Sequence, residues 1–405
     1  MKTKTPLLSL AVAMTLAGAA SAQIKGPSTG STPYVLPASN LVTTYSIATV
    51  DNTGANPDDV FAKTGGGTYS MSGIPDGLGA YDNGNGTFTL LMNHEISAGG
   101  VIRDHGAAGS FVSEWIINKN NLSVVSASDL IKNVIDPSGT VHNAANGNAL
   151  TFARFCSADL PAVSAFSFGG LGTTERIFMH GEEGSATGWQ QATVATGAGK
   201  GNSYILGKFN LNTNGSATSV LSPVQLNVAT ASTGSSTVTY AGALNTPVPR
   251  ELAVGAQLLG QTIVSVTQAT NTITLSGPAN ANISSSTPTN FTLGGVGAWE
   301  NALANPFAQT KTVVIGNNDG GTGIMNNSVS VYVGTKTSSG TEADRAGLTN
   351  GTLSFVNVVG NPAEIVNTST RATNITNGTR FNLSGTSSTA FSRPEDGAWN
   401  PQDLS

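Results

Sequence analysis

Three apolar runs in this chain of 405 residues end on acids or amides. They are Leu90-Leu91-Met92-Asn93-His94-Glu95, Ile177-Phe178-Met179-His180-Gly181-Glu182-Glu183 and Val313-Val314-Ile315-Gly316-Asn317-Asn318-Asp319. Met92, Met179 and Ile315 align. Glu95, Glu182 and Asn318 then align too, with Glu183 and Asp319 one place on. A lone acid at a strand end meets water. A repeated one, in a chain with 23 acids, is expected to face its counterparts. Gathered carboxylates raise each other's pKa unless a cation neutralises them. Oxygen clusters backed by Gly-loop carbonyls suit calcium, which takes about 6–8 oxygen ligands. Calcium is therefore the first cation expected, at Glu95, Glu182 and Glu183.

Cys156 is the single cysteine. It has no internal disulfide partner, so it is an intermolecular link, a buried inert side chain or a ligand. A thiolate does not suit calcium; as a ligand it implies a transition ion such as iron or zinc. His94 and His180 stand beside the acids as alternative ligands or proton carriers, although a lone histidine there is more often neither. Arg154 and Arg103 are the candidates for holding an anionic substrate, with ordinary ion pairs as the alternative. The chain has no G-x-S-x-G elbow, no Walker loop and no C-x-x-C.

The elements that would position these residues are strands. Charged residues make up 10% of the chain, against about 25% in an ordinary soluble domain. Glycine is abundant, at 49 residues, and short apolar runs are cut by Gly, Asn and Pro. A second element recurs as Gly79-Ala80-Tyr81, Gly297-Ala298-Trp299 and Gly397-Ala398-Trp399, each followed by an acid or amide. The unit predicted is a strand, a turn and a second strand ending in acids. Such units suggest an all-β, β-propeller-like repeat of small antiparallel sheets around a channel. After Trp399 the unit asks for a further strand, and the sequence ends at Ser405, so the last blade is expected to be incomplete. Residues 228–293 read as an inserted β module, with a hairpin about Ala269–Asn271. Ser126–Val134 reads as one short helix, after a turn at Asn118–Leu122.

Lys2 and Lys4, the apolar stretch Pro6–Ala19 and the small residues Ala20-Ser21-Ala22 form an export leader of bacterial type over 1–22. The propeller-like domain then covers 23–405, and the protein is expected in the periplasm, at the cell surface or outside the cell. No later run is long and apolar enough to be a membrane span. The net charge of −5 and the scattered Lys and Arg exclude a basic stripe for nucleic acid.

In LMNHE (Leu91–Glu95), RFCSADL (Arg154–Leu160), RIFMHGEEG (Arg176–Gly184), GAWENALANP (Gly297–Pro306) and FSRPEDGAWNP (Phe391–Pro401), the chain resembles the PhoX-like secreted alkaline phosphatase family. The resemblance implies a propeller whose channel holds calcium and iron and cleaves phosphate monoesters. It suggests Cys156 as an iron ligand and Glu183, Glu300 and Glu395 as metal ligands, with Asp396 of the same motif beside them. It departs in three places: no twin-arginine leader, His180-Gly181 before the Glu pair, and Trp299 where a histidine commonly precedes the glutamate. Two functions follow from this reading. One is a calcium- and iron-dependent phosphohydrolase acting on a small phosphate ester. The other is a calcium-stabilised surface or matrix propeller without catalysis.

Overall fold

The computed structural model describes residues 23–39, 41–50, 59–137, 139–183, 188–209, 224–226, 228–240, 257–258, 261–279, 283–284, 289–291, 299–319, 327–384 and 388–403. The leader expected over 1–22 and the pair Gly297-Ala298 lie outside them. The fold is all-β and built of several small antiparallel sheets. Among the described residues no helix is long and apolar enough to cross a membrane.

Three sheets carry the architecture. The first runs Pro75–Asp82, Thr87–His94, Phe111–Asn118 and Val124–Asp129, each strand antiparallel to the next. The second runs Phe155–Asp159, Ile177–Glu182, Gln190–Val194 and Asn202–Ile205. Its outer edge takes Asn133–Ile135 in parallel, a strand that follows directly from the first sheet. The third runs Trp299–Ala304, Lys311–Asn318, Val329–Thr335, Thr352–Val358 and Phe381–Ser384.

Side chains alternate across a strand, so each sheet has two faces, and the sheets stack through them in chain order. Leu91 and Val112 of the first sheet pack with Phe155, Phe178, Trp189 and Ile205 of the second. The opposite face of the second, with Ile177, Met179, Ala192 and Val194, packs on Trp299, Val314, Tyr332 and Phe355 of the third. The remaining face of the first sheet, with Met92, Trp115 and Ile117, is covered by Phe61, Tyr69 and Met71 from an N-terminal hairpin. Trp299 is wholly buried. A Cβ on Gly181 would lie 2.5 Å from its Cβ, and one on Gly316 would lie 2.4 Å from its Cζ3, so both neighbours must be glycine.

The predicted insertion forms a sheet of its own, with strands including Val228–Ala231, Thr237–Tyr240, Gln261–Thr267 and Thr272–Leu275. The last two are the expected hairpin, turning through Gln268–Thr270 and the left-handed Asn271 (φ 50°). Val224–Leu226 pairs with Thr289–Phe291 at its base.

The helix expected over Ser126–Val134 is instead the fourth strand of the first sheet, Val124–Asp129, followed by the strand Asn133–Ile135. Ala127 packs into the N-terminal core and Asp129 accepts from Tyr69 at 2.7 Å. Tertiary pairing thus overrides a short run with some helical periodicity. The turn before it is as expected, with Leu122 N–H donating to Asn118 O at 2.9 Å. A short helix does form at Glu342–Arg345, where Thr341 and Asp344 make a reciprocal capping box.

Candidate metal centre

The inner strands of the three sheets begin alike. Pro75 pairs with His94, Phe155 with Glu182 and Trp299 with Asn318. Directly after that first pair each strand shifts register, at Pro75/Leu78, Phe155/Ala158 and Trp299/Asn301. A bulge of this kind re-aims the residues within it. The residue that follows the first pair is Asp76 in the first sheet, Cys156 in the second and Glu300 in the third. These three meet: Cys156 Sγ donates to Glu300 Oε1 at 3.0 Å and lies 3.3 Å from Asp76 Oδ2.

The acids at the ends of the second strands join them. Glu95 N–H donates to Ile74 O and Glu183 N–H to Arg154 O, both at 2.9 Å, so Glu95 and Glu183 occupy the same position in successive sheets. Two trios result, Asp76/Glu95/Cys156 and Cys156/Glu183/Glu300, each with ligand atoms within 4.8 Å of one another. Cys156 belongs to both.

This register corrects the alignment read from the sequence. His94, Glu182 and Asn318 are the true counterparts, and Glu95 falls with Glu183 rather than with Glu182. Glu182 stands apart from the trios. It is buried, and its two carboxylate oxygens accept from Ala153 N–H and Trp189 N–H, both at 3.1 Å. The Gly-Ala-aromatic coincidence is not structural either, because Tyr81 pairs with Thr89 near the far end of its strand whereas Trp299 opens its own.

Glu395 and Asp396 arrive from the segment Phe391–Pro401. Asn93 Nδ2 donates to Cys156 O at 2.6 Å, and Asn317 Nδ2 donates to Glu395 O at 3.0 Å. Trp399 Nε1 reaches Leu303 O at 3.3 Å. The segment therefore lies against the third sheet as the second inner strand lies against the first, and Glu395 takes the place of Asp76, Cys156 and Glu300. Asp396 Oδ1 accepts from Ser157 Oγ at 3.3 Å and Asn301 Nδ2 at 3.2 Å, while Ser157 Oγ also reaches Glu300 Oε1 at 3.4 Å.

Burial pushes the Cys156 thiol far above its ordinary range, helped by its bond to Glu300 and the charge of Asp76. Burial likewise raises Glu300 to about 7, with Glu183, Glu395 and Asp76 adding to it against the bond from Cys156. Glu95 is raised by burial and by Glu183 and Asp76, while Arg154 opposes. A bound cation would reverse these directions, since it favours thiolate and carboxylate. The donors fit such an ion. Neither trio is all oxygen, so both suit a thiophilic transition ion better than calcium. Oxygen-only donors lie beyond Glu300, at Glu395, Asp396 and Ser157.

The arginines are engaged. Arg154 forks onto Glu183 Oε2, with Nε at 3.0 Å, and its Nη2 lies 2.5 Å from Glu95 Oε1. Arg103 packs over the Phe111 ring at 3.4 Å and lies 3.8 Å from Asp129, away from the trios. Both histidines are core residues. His94 stacks on Phe111 and bonds Ser113 Oγ at 2.8 Å, and burial lowers its pKa to about 4. His180 bonds Thr193 Oγ1 at 2.7 Å, and burial lowers its pKa to about 3.

Sequence reading missed Asp76, which neither the repeat nor the resemblance singles out. What marks it is its place one residue after the first inner-strand pair, shared with Cys156 and Glu300, a relation set by pairing and not by spacing. No protein-family model matches the chain, and neither the curated proteins nor the solved structures contain a match.

Proposed function

We propose that the chain is an exported, cation-dependent hydrolase of phosphate monoesters, of the PhoX-like kind its motifs resemble. The observation that supports this best is the meeting of Asp76, Cys156 and Glu300, one from each of three sheets, at one repeated position. Cys156, Glu183 and Glu300 would hold a transition ion of the iron class. Asp396, with Ser157 and Asn301 beside it, would hold calcium, while Glu395 is paired with Arg393. Bound there, such ions polarise a phosphoryl oxygen and lower the pKa of a coordinated water. Arg154 is half exposed, and its Nη1 takes no part in the pairs with Glu95 and Glu183. It is therefore oriented by two carboxylates while one edge of the fork remains to bind a phosphate oxygen. Hydrolysis of a generic aryl phosphate, with calcium and ferrous iron supplied, tests the reading. Activity that disappears in Glu300→Gln supports it; a metal-loaded chain without activity overturns it.

One observation favours the alternative, a calcium-stabilised surface or matrix propeller without catalysis. The two arginines nearest the acids, Arg154 and Arg393, are each paired with two carboxylates. Calcium would then raise the melting temperature, and Cys156→Ser would be harmless.

A further inference from the structure

Arg154 and Arg393 occupy the same position in two of the repeated units. Each immediately precedes the first residue of an inner strand or its counterpart, Phe155 and Pro394. Each is left-handed, at φ 53° and 55°, a conformation that costs a non-glycine residue about 1–2 kcal/mol and persists where the surroundings fix it. Arg154 pairs with Glu95, the end acid of the preceding sheet, and also with Glu183. Arg393 pairs with Asp319, again the end acid of the preceding sheet, at 2.7 Å, and with Glu395 at 2.5 Å. A guanidinium thus lies between two carboxylates at the first-to-second junction and again between the third sheet and the segment Phe391–Pro401. At the second-to-third junction the residue before Trp299 is an alanine, with no charge to offer, so the one guanidinium that touches this trio is Arg154, reaching Glu183 from the first-to-second junction. There Cys156, Glu183 and Glu300 approach one another. Two buried amides flank the acids. Asn93, against the Cys156 backbone, and Asn301, against Asp396, each keep an Oδ1 with no partner among the described residues.

We infer that the arginines are built-in cations. Arg154 and Arg393 fill two of three repeated cation positions, and the trio Cys156/Glu183/Glu300 is the one left for a metal. The inference rests on the reading of the trios as a metal centre and adds which trio takes the ion and why the other does not. It makes Arg154 a specificity-determining residue that sets the number of ions bound.

Equilibrium dialysis of the full chain against cobalt(II) under anaerobic conditions tests it, with thiolate-to-cobalt absorption as a second readout. The wild type is expected to bind one cobalt with a thiolate band, and Arg154→Met to bind two. Arg393→Met frees Asp319 and Glu395, an oxygen-only pair, and is expected to bind one calcium more than the wild type. Arg393 is largely exposed, so this variant is informative even where Arg154→Met fails to fold. An unchanged ion count in a folded arginine variant, or two cobalt ions on the wild type, overturns the inference while leaving the metal centre standing. A wild type that binds no cobalt overturns the metal reading itself.

Discussion

Cys156 Sγ lies 3.0 Å from Glu300 Oε1 although 144 residues separate them in the chain. The contact joins the inner strands of two sheets at equivalent positions. The thiol holds its proton there because burial and the neighbouring acids oppose a thiolate. A cation competes with that proton. Cys156→Ser is therefore expected to remove transition-metal binding and its thiolate absorption, and to change the melting temperature of the metal-free chain little, because a hydroxyl can replace the S–H donor at a net difference of about 1 kcal/mol. A cobalt titration followed by absorbance checks this; a persisting charge-transfer band would place the ion elsewhere.

The raised Glu300 makes the metal-free protein sensitive to pH. Its folded pKa, about 7, lies above its ordinary 4.5. Its contribution to stability is therefore complete below pH 4.5 and is lost as pH rises through about 7. Glu95, shifted in the same direction, adds to the effect. In chelator, the melting temperature of the wild type minus that of Glu300→Gln should fall between pH 4.5 and 7; the difference isolates Glu300, because buried His94 and His180, with lowered pKa values, move both proteins the other way over this window. A difference that stays flat or rises across this window would contradict the assignment.

The inner strands approach so closely that Gly77 can carry no side chain. A Cβ there would lie 2.3 Å from Ala158 N, a backbone atom that cannot step aside. Gly77→Ala should destabilise the protein by about 1–3 kcal/mol. It should also weaken cation binding, because it pushes aside the Ser157–Ala158 backbone that sets Cys156 in place. Urea unfolding and metal titration of the same variant separate these effects; unchanged affinity would show that the junction is not what sets the site.

Trp299 fills the space between the second and third sheets, and its Nε1 has no partner among the described residues. Trp299→Ala should cost about 3–5 kcal/mol. Trp299→Phe should cost less than half of that, since it removes an unpaired buried donor along with the ring. Denaturant midpoints of the two variants test this, and equal losses would contradict it.

The sequence showed the strand ends well, because an apolar run stopping on acids is a local pattern. Glu95 and Glu183 were legible for that reason, Cys156 and Glu300 were pointed to by the family resemblance, and the inserted hairpin at Ala269–Asn271 was legible from its turn. Asp76 was not, and Glu182 was mistaken for Glu183, because bulges shift the pairing by one residue without any sign in composition. The strand Val124–Asp129 was misread because what decides it lies far away, at Tyr69. The counterpart relation of Arg154 and Arg393 needs backbone φ and pairing partners, which no spacing encodes.

An anomalous difference map from crystals grown with cobalt(II) tests the central claim most directly. The account predicts one strong peak bonded to Cys156 Sγ and flanked by Glu183 and Glu300. Peaks confined to surface carboxylates, or a peak between Glu95 and Glu183 in the place of the Arg154 guanidinium, would contradict it.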